Sequence, residues 1–275
     1  RRRVRPIPIV MGSSLAAREA DTASTARQVG AFDWYPKNNA APGEEAVAGL
    51  GRLVVLGARS QPVSRLQRRT PTAPVSHAQA TWGNSVDLVA IGSSTGGVEA
   101  LEEVLSGFPQ KSPPVVICQH MPPLFTSSFA NRLNQSMPAL SIAEARDGEV
   151  LHPGMVRIAP GGDRHLVVDN SGGKYMTRLI SGPPVSGHCP SVDVLFKSVA
   201  KHAGRNALGI ILTGMGRDGA EGLLNMRQAG AYTIAQDKTS AVVYGMPRVA
   251  AEIGAACQVV PLRQISSAAM AIHAR

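Results

Sequence analysis

Ser94, His120 and Asp218 are side chains whose types suit acyl transfer. Ser94 sits in Gly92-Ser93-Ser94-Thr95-Gly96, a G-x-S-x-G spacing between an apolar run, Val86–Ile91, and a helical pattern that starts near Gly97. That arrangement reads as strand, sharp turn and helix, the form of a nucleophile elbow. Gly92 and Gly96 are expected where a Cβ would crowd the turn or the incoming substrate. A serine hydroxyl is a weak nucleophile near neutral pH and needs a base. His120 can serve, because an imidazole titrates near the working pH. Asp218 can fix its tautomer and stabilise the imidazolium as it forms. The order Ser, His, Asp differs from the Ser, Asp, His of esterases with this elbow, but the logic is geometric. A developing oxyanion also needs donors. Backbone N–H groups near Thr95, or in the turn Gly214-Met215-Gly216, are candidates, each worth about 3 kcal/mol of barrier.

Taken singly, these residues carry other readings. A glycine-rich turn between strand and helix also suits a phosphate group, or is only a tight turn. A histidine at a strand end is commonly structural, and Asp218 before a helix is an ordinary N-cap. What unites them is the sheet they imply. The runs 114–118 and 208–212 are apolar on both faces, as central parallel strands are. His120 and Asp218 follow those runs as Ser94 follows Val86–Ile91. In an open parallel sheet the carboxyl ends of the strands share one edge, where ligands bind.

From Val86 the pattern is regular α/β. Strands are expected at 86–91, 114–118, 155–159, 208–212, 232–235 and 258–260. Helices are expected at 97–106, 124–135, 191–203, 219–229, 245–252 and 262–273. The fold class is therefore a doubly wound, mostly parallel, Rossmann-like three-layer sheet. The stretch 140–180 looks different, and its Gly161-Gly162 and Ser171-Gly172-Gly173 read as hairpin turns inserted in the sheet. Ahead of it, residues 6–11 and 31–35 read as short strands around a helix at 16–30, with a further helix at about 44–58. Residues 59–85, rich in Pro, Arg, Ser and Thr, read as a linker. The domain division is 1–58, 59–85 and 86–275.

Composition narrows the functional classes. The net charge is +9 over 275 residues, but it is uneven. Residues 1–85 hold 12 Lys/Arg and 5 Asp/Glu, and residues 86–275 hold 16 and 14. The excess lies away from Ser94, which argues against nucleic-acid binding by that domain and for solubility, with attraction to an acidic partner or membrane surface. No apolar run approaches the roughly 20 residues of a membrane helix. Cys118, Cys189 and Cys257 are widely spaced, which speaks for reduced thiols in the cytoplasm and against a zinc site or disulfide framework. Cys189 beside His188 is a weak thiol-nucleophile candidate. His152, Asp163 and His165 are a weak metal candidate without compact spacing. Neither a metal nor a cofactor is expected.

Four motifs carry a resemblance: 91–97 (Ile-Gly-Ser-Ser-Thr-Gly-Gly), 119–123 (Gln-His-Met-Pro-Pro), 190–196 (Pro-Ser-Val-Asp-Val-Leu-Phe) and 212–220 (Leu-Thr-Gly-Met-Gly-Arg-Asp-Gly-Ala). With 235–237 and 243–247 they resemble, in order, the bacterial chemotaxis protein-glutamate methylesterase family across essentially all of 86–275. The resemblance implies that Ser94, His120 and Asp218 are catalytic and that Thr95 and Met215 line the site. It implies hydrolysis of glutamyl γ-methyl esters on the cytoplasmic domains of chemoreceptors, with methanol released, and in many members deamidation of receptor glutamines. A monomeric cytoplasmic enzyme without cofactor is expected, the alternative being a receptor-binding adaptor with decayed catalysis. A nucleotide-binding turn is a third reading, although the Lys-Ser/Thr ending of a P-loop is missing. Residues 6–37 resemble the last β-α-β part of the family's response-regulator receiver domain. Ser13 matches its switch hydroxyl and Lys37 its phosphate-binding lysine, with Asn38 where proline is usual. The phospho-accepting aspartate has no counterpart, so the chain reads as carrying a truncated receiver whose phosphorylation switch cannot operate.

Overall fold

The computed structural model describes residues 86–123 and 125–272, the strands at 9–13 and 31–36, and four helical positions between 51 and 58. The chain divides into two compact units, Arg1–Gln79 and Ala80–Arg275. In the first, β1 (Ile9–Ser13) pairs in parallel with β2 (Ala31–Pro36). The helix expected at 16–30 and the linker at 59–85 lie outside the described residues.

The second unit is built on seven strands: β3 (Leu88–Ser93), β4 (Val115–Gln119), β5 (Ser141–Glu144), β6 (Met155–Ile158), β9 (Ala207–Ile211), β10 (Tyr232–Gln236) and β11 (Gln258–Val260). Their order is β11-β10-β9-β3-β4-β6-β5, and every neighbouring pair is parallel. β7 (Arg164–Ser171) and β8 (Lys174–Ser181) form a separate antiparallel hairpin. Six α-helices among the described residues accompany the sheet: α1 (Gly97–Ser106), α2 (Phe125–Ser136), α3 (Val192–His202), α4 (Ala220–Gln228), α5 (Met246–Glu252) and α6 (Leu262–Met270).

Alternation along the central strands makes the three layers. Val89, Ile91, Val115, Ile117, Leu208 and Ile210 point to one face, where Leu101, Val104, Phe129, Leu133 and Ile265 of α1, α2 and α6 cover them. Leu88, Ala90, Val116, Cys118 and Ile211 point to the other, under Leu195, Phe196, Leu223 and Met246 of α3, α4 and α5 and Leu166 of the hairpin. Apolar side chains on both faces require helices on both faces, and the crossovers between parallel strands supply them.

The middle region departs from expectation in two ways. Ser171-Gly172-Gly173 does turn a hairpin, with Gly172 and Gly173 at φ 60° and 78°. Gly161-Gly162, however, is not a hairpin turn: it leads from β6 in the parallel sheet to β7 outside it. The second departure is β5, a parallel edge strand that the apolar pattern did not reveal. It is held by the buried Arg157 of β6, whose Nη1 donates to Ser141 O at 2.7 Å while Nε and Nη2 bind Glu149 at 2.8 Å.

Candidate active site

Strand order decides which loop tips meet. β3 lies between β9 and β4, so the segments after these three strands share one edge. Ser94 follows β3, His120 follows β4, and the loop Thr213–Gly219 follows β9. The backbone stitches the tips together. His120 N–H donates to Ser93 O at 3.1 Å, and Ser94 N–H donates to Thr213 O at 3.0 Å. Buried Gln119 reinforces this: its Nε2 donates to Ser94 O at 2.9 Å and His120 O at 3.0 Å, and its Oε1 accepts from Ser93 Oγ at 2.6 Å.

The elbow takes its form from its glycines. Gly96 has φ 78°, and a Cβ there would stand 2.6 Å from Val242 Cβ. A Cβ on Gly92 would stand 2.2 Å from Val192 Cγ1 on α3. Either change strains a site already closed by neighbours. The turn is also poorly suited to a phosphate. The N–H groups of Ser94 and Gly97 are bonded to Thr213 O and Ser94 O, and Val242 packs over Gly96.

Asp218 is 1% exposed and accepts four hydrogen bonds. His120 Nε2 lies 2.7 Å from Oδ2, which also accepts Val192 N–H at 2.8 Å. Oδ1 accepts Ser191 Oγ–H at 2.8 Å and Asp193 N–H at 3.0 Å. Three of these donors belong to the N-terminal end of α3, whose partial positive charge favours an anion. Burial alone would push the Asp218 pKa up. The bond and charge of His120, then Val192 N–H and Ser191 hydroxyl, overcome that and hold it at about 2. So Asp218 does not cap the helix it precedes; it caps the neighbouring helix α3 from outside. Buried Asp193 in turn accepts Gly222 N–H at 2.7 Å, which ties α3 to α4. Its pKa is raised, first by burial and then by the charge of Asp218, against the lowering effect of Gly222 N–H.

His120 bonds Asp218 through Nε2, so Nδ1 is the nitrogen left to take a proton. That atom is buried and has no hydrogen-bond partner among the described residues. Ser94 is half-buried, and its Cβ lies 2.8 Å from where a Cβ on Gly214 would stand. Its Oγ likewise makes no hydrogen bond among the described residues. Thr213 and Gly214 are anchored: Thr213 N–H donates to Gln236 Oε1 at 2.7 Å and Gly214 N–H to Val243 O at 3.0 Å. Those two amides are therefore spoken for, as is that of Ser94. The amides of Thr95 and Met215 donate to no acceptor among the described residues. Thr95 is 8% exposed and Met215 is 36% exposed at the rim.

The remaining candidates do not converge. Buried His165 is a structural residue: Nδ1 accepts Ser191 N–H and Nε2 faces Pro183 O, each at 3.1 Å. His152 and Asp163 are exposed, and no cluster able to hold a metal ion occurs among the described residues. Cys118 is core, and burial raises its thiol pKa well above normal. Cys189 is raised too, by burial and then by Asp163, which disfavours a thiolate nucleophile. His188, which the sequence offers only as the neighbour of Cys189, stacks its ring instead on that of His120.

An α/β sheet with a serine elbow, an imidazole and a buried carboxylate at one strand edge defines the serine-hydrolase class of site. The CheB methylesterase family profile matches residues 89–269, and the chain belongs to that family. It is 53% identical over 268 residues to a protein-glutamate methylesterase/protein-glutamine glutaminase of Agrobacterium fabrum, covering 96% of this chain and 75% of the relative. The Escherichia coli K12 protein of the same name is 46% identical over 270 residues, covering 98% and 76%. The Thermotoga maritima CheB methylesterase catalytic domain superposes with a TM-score of 0.65 at 39% identity, covering 68% of this chain and 98% of that domain.

Proposed function

We propose that the chain hydrolyses glutamyl γ-methyl esters on cytoplasmic chemoreceptor segments, with Ser94 as nucleophile, His120 as general base and acid, and Asp218 as orienting carboxylate. The observation that carries this is the 2.7 Å His120–Asp218 bond beside the Ser94 elbow, in a member of a methylesterase family. Ser94 Oγ attacks the ester carbonyl carbon while His120 Nδ1 takes its proton. Asp218, held anionic by the N-terminal end of α3, stabilises the imidazolium. The amides of Thr95 and Met215 are our assignment for the oxyanion. Collapse of the tetrahedral intermediate breaks the C–O bond, and His120 returns the proton to the departing methoxide, giving methanol and an acyl-Ser94. Water then attacks that ester with His120 again as base, releasing glutamate and regenerating Ser94. The same steps on a glutamine side chain expel ammonia, the glutaminase activity in the names of the relatives.

No helix among the described residues is long and apolar enough to cross a membrane; our reading further takes the enzyme as a cytoplasmic monomer that meets the receptor as substrate. The parallel pairing of β1 with β2 supports our reading of 1–58 as the closing part of a receiver, with 59–85 as linker and 86–275 as the esterase. The test is methanol release from methylated receptor. Ser94→Ala abolishes it with the melting temperature unchanged; undiminished turnover would refute the mechanism.

A further inference from the structure

We infer that His188 is a positioning residue for His120: its flat ring, stacked on the imidazole, holds it in line with Asp218 and shuts water from that side. The inference rests on the catalytic reading of Ser94, His120 and Asp218. The two rings lie 3.7 Å apart between centroids and 15° from parallel. His120 keeps its plane through a single Nε2 bond, because Nδ1 has no partner among the described residues. One hydrogen bond leaves a ring free to rock about the bond axis; a second flat surface at contact distance removes that freedom.

The loop that presents His188 is built to hold it there. Val185 and His188 exchange both backbone hydrogen bonds at 3.0 Å around Ser186 and Gly187, at φ 53° and 80°. Ser186 Oγ donates to Asp193 Oδ2 at 3.3 Å. Buried His165 grips both ends of the loop, through Pro183 O on one side and Ser191 N–H on the other. Ser191 is also the residue whose hydroxyl binds Asp218, so the loop and the carboxylate share one anchor.

Charge makes the stack workable during turnover. The charged groups around His188 are His120 and Asp218 across the stack and Asp193 beyond Ser186; neighbouring Cys189 stays a neutral thiol. Burial, then the charge of His120, lowers the His188 pKa to about 4, against the opposing pull of Asp218. At neutral pH His188 therefore offers a neutral face to the imidazolium that forms on His120, and two like charges never stack.

The experiment compares His188→Ala and His188→Phe in the full chain, on methylated receptor, with Ser94→Ala in the same assay. The expected result is a loss of about tenfold to a hundredfold in kcat for His188→Ala with KM nearly unchanged, from loosened positioning. His188→Phe, which restores a flat ring but no nitrogen, is expected to recover most of kcat. The downfield NMR signal of the His120–Asp218 proton is expected to persist in the Phe variant and broaden in the Ala variant. An unchanged kcat in Ala overturns the inference. So does a change confined to KM, which would make His188 a substrate contact. A Phe variant as slow as Ala would do so too, since a nitrogen would then be required. If His188→Ala does not fold, His188→Leu replaces it with the same expectation. Ser94→Ala separates the two levels: activity there sinks the site itself, whereas a dead Ser94→Ala beside an unaffected His188→Ala sinks only the role of His188.

Discussion

In Asp218→Asn the side chain keeps its shape, loses its charge and exchanges an acceptor oxygen for an NH2 donor. Four donors face the native carboxylate: His120 Nε2, Ser191 Oγ–H, Val192 N–H and Asp193 N–H. Each oxygen takes one backbone N–H, so either orientation of the amide sets NH2 against a backbone donor. Hydroxyl rotation relieves Ser191, but nothing relieves that N–H. The magnitude follows two ways. A pKa held at about 2, against an ordinary aspartate, is worth on the order of 2–3 kcal/mol at neutral pH. An unsatisfied buried donor costs about 1–3 kcal/mol. We therefore expect about 3 kcal/mol lost from unfolding free energy in urea. Activity falls further, because the amide no longer selects the tautomer with Nδ1 free or stabilises imidazolium; about a 10,000-fold loss in kcat is expected by analogy with other triads. Urea titration and methanol release read the two effects separately. An Asn variant within tenfold of wild-type kcat would refute the role given to Asp218. One with wild-type stability would refute the hydrogen-bond accounting.

Three further outcomes are expected. Stability has an acid limb from His188: its folded pKa is depressed to about 4, so its contribution is full above the unfolded pKa of about 6.5 and is lost as pH falls between them. Discounted for partial exposure, that is on the order of 1–2 kcal/mol, and the slope of urea stability against pH over this window flattens in His188→Phe. Gly214→Ala drives a Cβ to 2.2 Å from Met246 Sδ and 2.8 Å from Ser94 Cβ, so kcat is expected to fall at least tenfold through displacement of the nucleophile. Gln119→Leu removes the donors to Ser94 O and His120 O and the acceptor for Ser93 Oγ; about 2–4 kcal/mol of stability is expected to go with them, read by thermal unfolding.

What was legible in the sequence, and what was not, follows from the physics of each segment. The strands carrying the site, β3, β4 and β9, are buried on both faces, so each appears as an unbroken apolar run ending abruptly in polar residues. That contrast marked Ser94, His120 and Asp218 together. β5 escaped because its four residues, Ser-Ile-Ala-Glu, sit at the sheet edge with one buried side chain, Ile142, too few to show a pattern, and the buried Arg157 adds a bond to Ser141 O. Gly161-Gly162 misled because a glycine pair marks a sharp turn without saying which sheet the chain enters next. His188 was hidden by its setting in an irregular loop, where no periodicity reports burial. Nothing in the sequence sets Asp193 apart from an ordinary acidic residue in the first turn of a helix; its burial depends on α4 packing across α3.

The central claim is that Ser94 is the acylated nucleophile and His120 its base. The most direct measurement is peptide mass spectrometry of the chain after treatment with a serine-reactive phosphonate ester. One phosphonyl adduct is expected, on the peptide holding Ser94, abolished in Ser94→Ala and slowed by orders of magnitude in His120→Ala. An adduct on another residue, or labelling of Ser94 at an undiminished rate without the imidazole, would contradict it.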